Sequence, residues 1–264
     1  MSRFRCIGLI LGLLTTGLVH AETYNLVVQP IYTPERAREV YAPLTDYLNR
    51  ATSHTFNLVT PKNFHHYWAD MRRRDDWHLI FDDAHFTDYR VQKFDYTPLV
   101  KTAEQASFSL LAGPMLMETE LDTLVGRRIV TMPAPSLGFS LLTEWFSNPL
   151  QQPIIVSSAF TWRDTVEIVF AGEAEAAMVP TWLAQRYPNL LPIRESRQLP
   201  GEAISASAAV DDAAREEITA ALLKLHEDES LYEVLVELNI SQFEPATEAE
   251  YAGHADLLKS FYGY

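Results

Sequence analysis

Cysteine is almost missing from this 264-residue chain, the only one being Cys6, close to the amino terminus. With none further on, disulfide scaffolds, thiol nucleophiles and cysteine-ligated metal centres are excluded from the body of the protein. Short catalytic motifs are missing too. There is no Gly-x-Ser-x-Gly elbow, no His-Glu-x-x-His helix and no Gly-rich phosphate loop ending in Lys. Positive charge is scarce: 21 Lys and Arg face 35 Asp and Glu, for a formal charge of -14. Such a surface repels nucleic acid and anionic membranes. It does not exclude a small anionic ligand, because backbone dipoles inside a cleft outweigh distant charges screened by salt.

The one long apolar run lies at the start. Residues 1–21 carry Arg3 and Arg5, then a mostly apolar stretch from Cys6 to Val19, and end at Val19-His20-Ala21. This is the pattern of an export signal cleaved near Ala21. The run is short for a membrane span, which needs roughly 20 apolar residues. Cys6 stands at the start of the run, where a lipoprotein cysteine would stand at its end. The expected location is the periplasm, and cleavage would remove two arginines and shift the charge from -14 to -16. About 243 residues would remain, enough for two lobes that each bury a core.

Beyond residue 21, strand and helix patterns alternate. Strands are expected at 24–29, 55–59, 78–81 and 97–101, and helices at 35–50, 64–73 and 84–93. The first helix places Ala37, Val40, Tyr41, Leu44 and Leu48 on one face. The same grammar restarts at residue 107, with strands at 107–113, 128–132, 154–157 and 176–179 and helices at 137–147 and 162–170. Leu199-Pro200-Gly201 reads as a crossing point, followed by a strand at 203–210 and helices at about 212–227, 231–238 and 248–261. Alternation of this kind predicts an α/β protein whose lobes each hold a mostly parallel sheet flanked by helices, with a ligand cleft between them. The expected lobes are 22–106 plus 200–264, and 107–199. Residues 74–81 and 171–179 echo one another, each placing polar residues before a short apolar strand, as two related lobes would.

Ligands of such sheets collect beyond the carboxyl ends of strands. The loops there hold Tyr32 and Thr33, Asp83 and His85, Ser136, Leu137 and Gly138, and Thr181 and Trp182. A hydroxyl and a Gly at a helix start leave amides free for an oxyanion. Tyr32, Phe86 and Trp182 offer ring faces and hydrogen bonds. Asp82, Asp83 and His85 also form a possible oxygen and nitrogen metal set, and with it a metal-dependent hydrolase. Without a spaced fourth ligand, the expectation is no metal, no cofactor and no catalytic set.

The chain resembles the periplasmic solute-binding proteins of phosphonate and phosphite transporters, the PhnD-like branch of the type II periplasmic-binding fold. The likeness rests on Tyr41-Ala42-Pro43-Leu44-Thr45-Asp46-Tyr47-Leu48, on residues 78–89, on residues 121–130 with Leu-x-Gly-Arg-Arg-Ile-Val, and on residues 172–179. It implies capture of a small oxyanion such as a phosphonate, phosphite or phosphate by lobe closure, and an inner-membrane permease as partner. A sensory module reporting to a membrane signalling protein is the alternative. The resemblance implies an oxyanion held at Ser136 and Gly138, met by Tyr32 and His85 from the other lobe. The family's Ser-Thr-Ser-Gly turn stands here as Pro135-Ser136-Leu137-Gly138, and its Gly-Pro pair after the third strand as Asp83-Ala84.

Overall fold

The computed structural model describes residues 21–116 and 120–261, so the expected export signal lies outside the described residues except for Ala21. The first strands are β1 (Thr23–Val28), β2 (Thr55–Val59), β3 (Leu79–Asp82) and β4 (Thr97–Thr102). Between them run α1 (Pro34–Ala51), α2 (Phe64–Met71) and α3 (Ala84–Phe94). Then come β5 (Phe108–Ala112), β6 (Arg128–Val130), α4 (Leu137–Trp145), β7 (Ile154–Val156), α5 (Trp162–Phe170), β8 (Ala176–Pro180), α6 (Thr181–Ala184) and β9 (Leu191–Glu195). The chain finishes with β10 (Ala203–Ala206), α7 (Asp212–Leu223), α8 (Tyr232–Leu238), β11 (Phe243–Pro245) and α9 (Glu248–Tyr251).

Local chemistry explains the helix starts. Pro34 begins α1 with its φ already helical, and the Thr33 hydroxyl accepts from the Arg36 amide at 3.4 Å. Thr161 and Asp164 close a capping box on α5. Asp83 caps α3 by position, yet its carboxylate makes no capping hydrogen bond. It is therefore available for other work.

Two sheets form, with strand orders β11-β4-β10-β3-β1-β2 and β7-β6-β8-β5-β9. They share one topology. In each, the strand that follows a crossing, β10 or β5, runs antiparallel between two neighbours, and β3-β1-β2 corresponds to β8-β6-β7. The segments echoed in the sequence thus fall on equivalent strands, β3 and β8.

The expectation of mostly parallel sheets needs correction. The larger sheet has two parallel and three antiparallel pairings, and the smaller has two of each. A parallel neighbour needs a long crossover, usually a helix, and neither β5 nor β10 is preceded by one. Edge strands β9 and β11 were not expected, being short and, for β9, largely exposed. The helix expected over 248–261 breaks after Tyr251, because Gly253 adopts φ +91° and a 3-10 turn over His254–Leu258 follows.

At the crossing, Ala106 and Leu199 exchange backbone hydrogen bonds of 3.0 and 2.8 Å. Gly201 follows immediately, and a Cβ there would stand 2.3 Å from Thr102 Oγ1 and 2.4 Å from its carbonyl oxygen. Only glycine permits that approach.

Candidate ligand cleft

A cleft of about 260 Å³ lies between the sheets. From the larger sheet it is lined by Gln29, Ile31 and Tyr32 after β1, Arg36 on α1, Asp83 after β3, Glu202 before β10, and Glu237 and Leu238 on α8. From the other side come the crossing residues Ala106 and Ser107, Phe108 on β5, Thr161, Trp162 and Arg163 at the start of α5, Pro180 at the end of β8, and Trp182 and Leu183 just after it. Most of these sit just beyond strand ends or at helix starts, where this architecture leaves open ground.

Glu237 is well supplied with partners. Tyr32 Oη donates to it at 3.4 Å, and Arg36 and Arg163 reach it at 3.5 and 3.6 Å. Arg163 comes from α5, so this pair bridges the two sides of the cleft. Burial and the neighbouring Glu237 charge push the Tyr32 phenol well above its ordinary value, which keeps it a donor.

Asp83 and Glu202 differ. Gln29 Nε2 donates to Glu202 Oε1 at 3.0 Å. Among the described residues no ion pair to either carboxylate forms. Removal from water, then the nearby Asp82 charge, lifts Glu202 from 4.5 to about 7, against the opposing hydrogen bond from Gln29. Burial, then Glu202, raises Asp83 well above the ordinary carboxylate range.

Of the residues expected at the site, Tyr32, Asp83 and Trp182 line the cleft together. Thr33 is the cap of α1, and the Thr181 hydroxyl is 2.9 Å from that of Ser109. His85 is fully buried, with Nε2 donating to the Pro135 carbonyl at 2.9 Å across to the other sheet's side. Burial drives its pKa down to about 4, so it is neutral at pH 7. Ser136 is also fully buried. Its hydroxyl donates to Met132 O at 3.1 Å and accepts from the Phe139 amide at 3.3 Å.

Ser136, Leu137 and Gly138 do not line the cleft. A Cβ on Gly138 would meet Trp162 at 2.9 Å and Phe108 at 3.2 Å, so the two rings that line the cleft also pack on the start of α4. The metal set does not assemble. Asp82 is held by Arg90, by the Tyr67 hydroxyl and by Thr87 at 3.1 Å, while His85 is bound to Pro135. No cluster of three or more metal-ligating side chains occurs among the described residues.

Gln29, Arg36, Phe108, Trp162, Arg163, Glu202 and Glu237 were not anticipated. Gln29 follows β1 directly and was within reach of the strand-end rule. Glu202 and Glu237 stand in no local pattern.

Two sheets with a shared topology, joined at a paired crossing and facing one cleft, define a two-lobed periplasmic binding protein. The family model for the phosphonate ABC transporter periplasmic substrate-binding protein matches residues 26–251, and the chain belongs to that family. The family is one of substrate-binding proteins. No curated protein sequence matches the chain. Among solved structures, the chain is similar to PhnD1 of Prochlorococcus marinus in complex with methylphosphonate, with TM-score 0.75, 12% identity, and coverage of 89% of this chain and 97% of that one. It is also similar to a binding-protein component of a phosphonate ABC transporter from Pseudomonas aeruginosa, with TM-score 0.73, 12% identity and coverage of 88% and 84%. A Xanthomonas citri protein bound to ATP gives TM-score 0.69, 12% identity and coverage of 89% and 95%.

Proposed function

We propose that this protein, cleaved near Ala21, captures a small solute between lobes 22–106 plus 200–264 and 107–199 and presents it to an inner-membrane permease. The observation that carries the reading is the cleft of about 260 Å³ whose walls come from both sheets. A ligand touching both walls favours the closed arrangement, since only contacts made better in one state shift an equilibrium. Phosphonate is the first candidate solute, on the family description and on the methylphosphonate held by the Prochlorococcus protein. In this chain its donors would be Arg36, Arg163 and Tyr32, in place of the buried Ser136 and Gly138.

A thermal-shift screen of the purified protein tests the reading, using methylphosphonate, phosphite, phosphate, organic acids and amines. A bound solute at 100 times its dissociation constant adds about 2.7 kcal/mol, and small-angle scattering on that solute should show contraction. A protein that responds to none of these classes is not a small-solute receptor.

A further inference from the structure

Glu237 already has Arg36 and Arg163 beside it, which leaves Asp83 and Glu202 as the carboxyls of the cleft without a cation partner among the described residues. Buried or partly buried carboxylates without a cation are costly. The neighbouring Gln29 adds an independent observation. It is 2% exposed, it lines the cleft, and its Nε2 is committed to Glu202, yet its Oε1 has no hydrogen-bond partner. A buried acceptor left open beside two carboxylates calls for a donor with several N–H groups. The wall opposite carries Phe108 and Trp162, packed edge to face at 5.2 Å between centroids, while the Trp182 ring already has Arg186 over it at 5.1 Å. Ring faces attract cations. Asp82, behind the pair, keeps its charge but already has Arg90 as its cation.

Resting on the receptor reading above, we propose that the cleft recognises the cationic head group of its solute, a primary ammonium or guanidinium held by Asp83, Glu202 and Gln29 Oε1. The volume allows a compact molecule, on the order of ten non-hydrogen atoms if each takes about the share of one water.

Calorimetric titration of the purified protein with ethanolamine, putrescine, agmatine and arginine, and with methylphosphonate as a probe lacking an amine, tests this. At least one cation is expected to bind, and Asp83→Asn and Glu202→Gln should each weaken it at least tenfold. The Asp83 side chain makes no capping hydrogen bond and Asn has nearly its shape, so Asp83→Asn keeps the fold. Glu233→Gln, on an exposed acid of α8, should leave binding unchanged. Methylphosphonate binding with no cation binding overturns the cationic head group and leaves the receptor reading standing. Cation binding that survives both substitutions also overturns it. Failure of every cation overturns the cationic head group whatever methylphosphonate does, and the receptor reading falls only when the wider solute screen also gives no response.

Discussion

The two lobes are the same construction ending in opposite chemistry. Strand β3 runs into Asp82-Asp83, whereas its counterpart β8 runs into Pro180-Thr181. The register makes the correspondence explicit: Asp82 lies opposite Ala203 on β10, as Pro180 lies opposite Phe108 on β5. One lobe therefore brings carboxyls to the cleft, and the other brings rings and hydroxyls with Arg163 as its charged group there. Shared topology sets where a residue stands, and the residue alone sets what that place does.

The carboxylate at Asp82 is fully buried and depends on Arg90, which also bonds Ser205 at 2.9 Å. Arg90→Met removes the charge that balances it, so urea denaturation should show a loss of about 3–5 kcal/mol. A loss under about 1 kcal/mol would mean that the first lobe does not depend on this ion pair and that the contrast with β8 is superficial.

His85 sharpens the contrast through pH. Its folded pKa of about 4 lies below its ordinary 6.5, so the neutral form is favoured by folding. Its stability contribution is complete above pH 6.5 and disappears as pH falls through about 4, on the order of 2–3 kcal/mol. His85→Gln can still donate to Pro135 and should flatten this acid dependence. An unchanged slope in denaturation between pH 6.5 and 4 would refute the assignment.

Glu202 works in the opposite sense. Its carboxyl is raised from 4.5 to about 7, so its own contribution to the stability of the solute-free protein is complete below about 4.5 and is lost as pH rises through about 7. Asp83 shifts the same way, Asp82 is held by Arg90, and the phenols of Tyr32, Tyr41 and Tyr251 titrate far above the range. Glu202→Gln should therefore be more stable than the natural protein at pH 8, by about 3 kcal/mol, and nearly equal to it at pH 4.5. Equal stability at both pH values would show that the pair carries no burial penalty.

The second lobe supplies the smallest effect. Thr161→Ala opens the capping box of α5 and should cost about 1 kcal/mol, equally at pH 5 and pH 8. A pH-dependent cost would show that the start of α5 depends on more than the hydroxyl bond of its cap.

Much of the architecture was readable because apolar runs of strand length alternate with helical periodicity, as in α1 and β3. Strand direction was not, because pairing is decided between distant segments: β10 enters between β3 and β4 more than a hundred residues after them. The same limit applied to the cleft. Tyr32, Asp83 and Trp182 announce themselves beside strand ends, whereas Glu202 and Glu237 arrive through folding alone. His85 and Ser136 stand at helix starts, as their loops imply, but both turn inward to backbone carbonyls.

The crossing at Ala106 and Leu199 has a mechanical meaning. Two chain segments bound to each other by reciprocal backbone hydrogen bonds act like a pair of door hinges on one pin. They leave swinging about one axis easy while resisting sliding and twisting. Closure of the proposed kind would turn about the few residues there, moving Trp162 relative to Asp83 as part of one wall that already touches the other at Arg163 and Glu237.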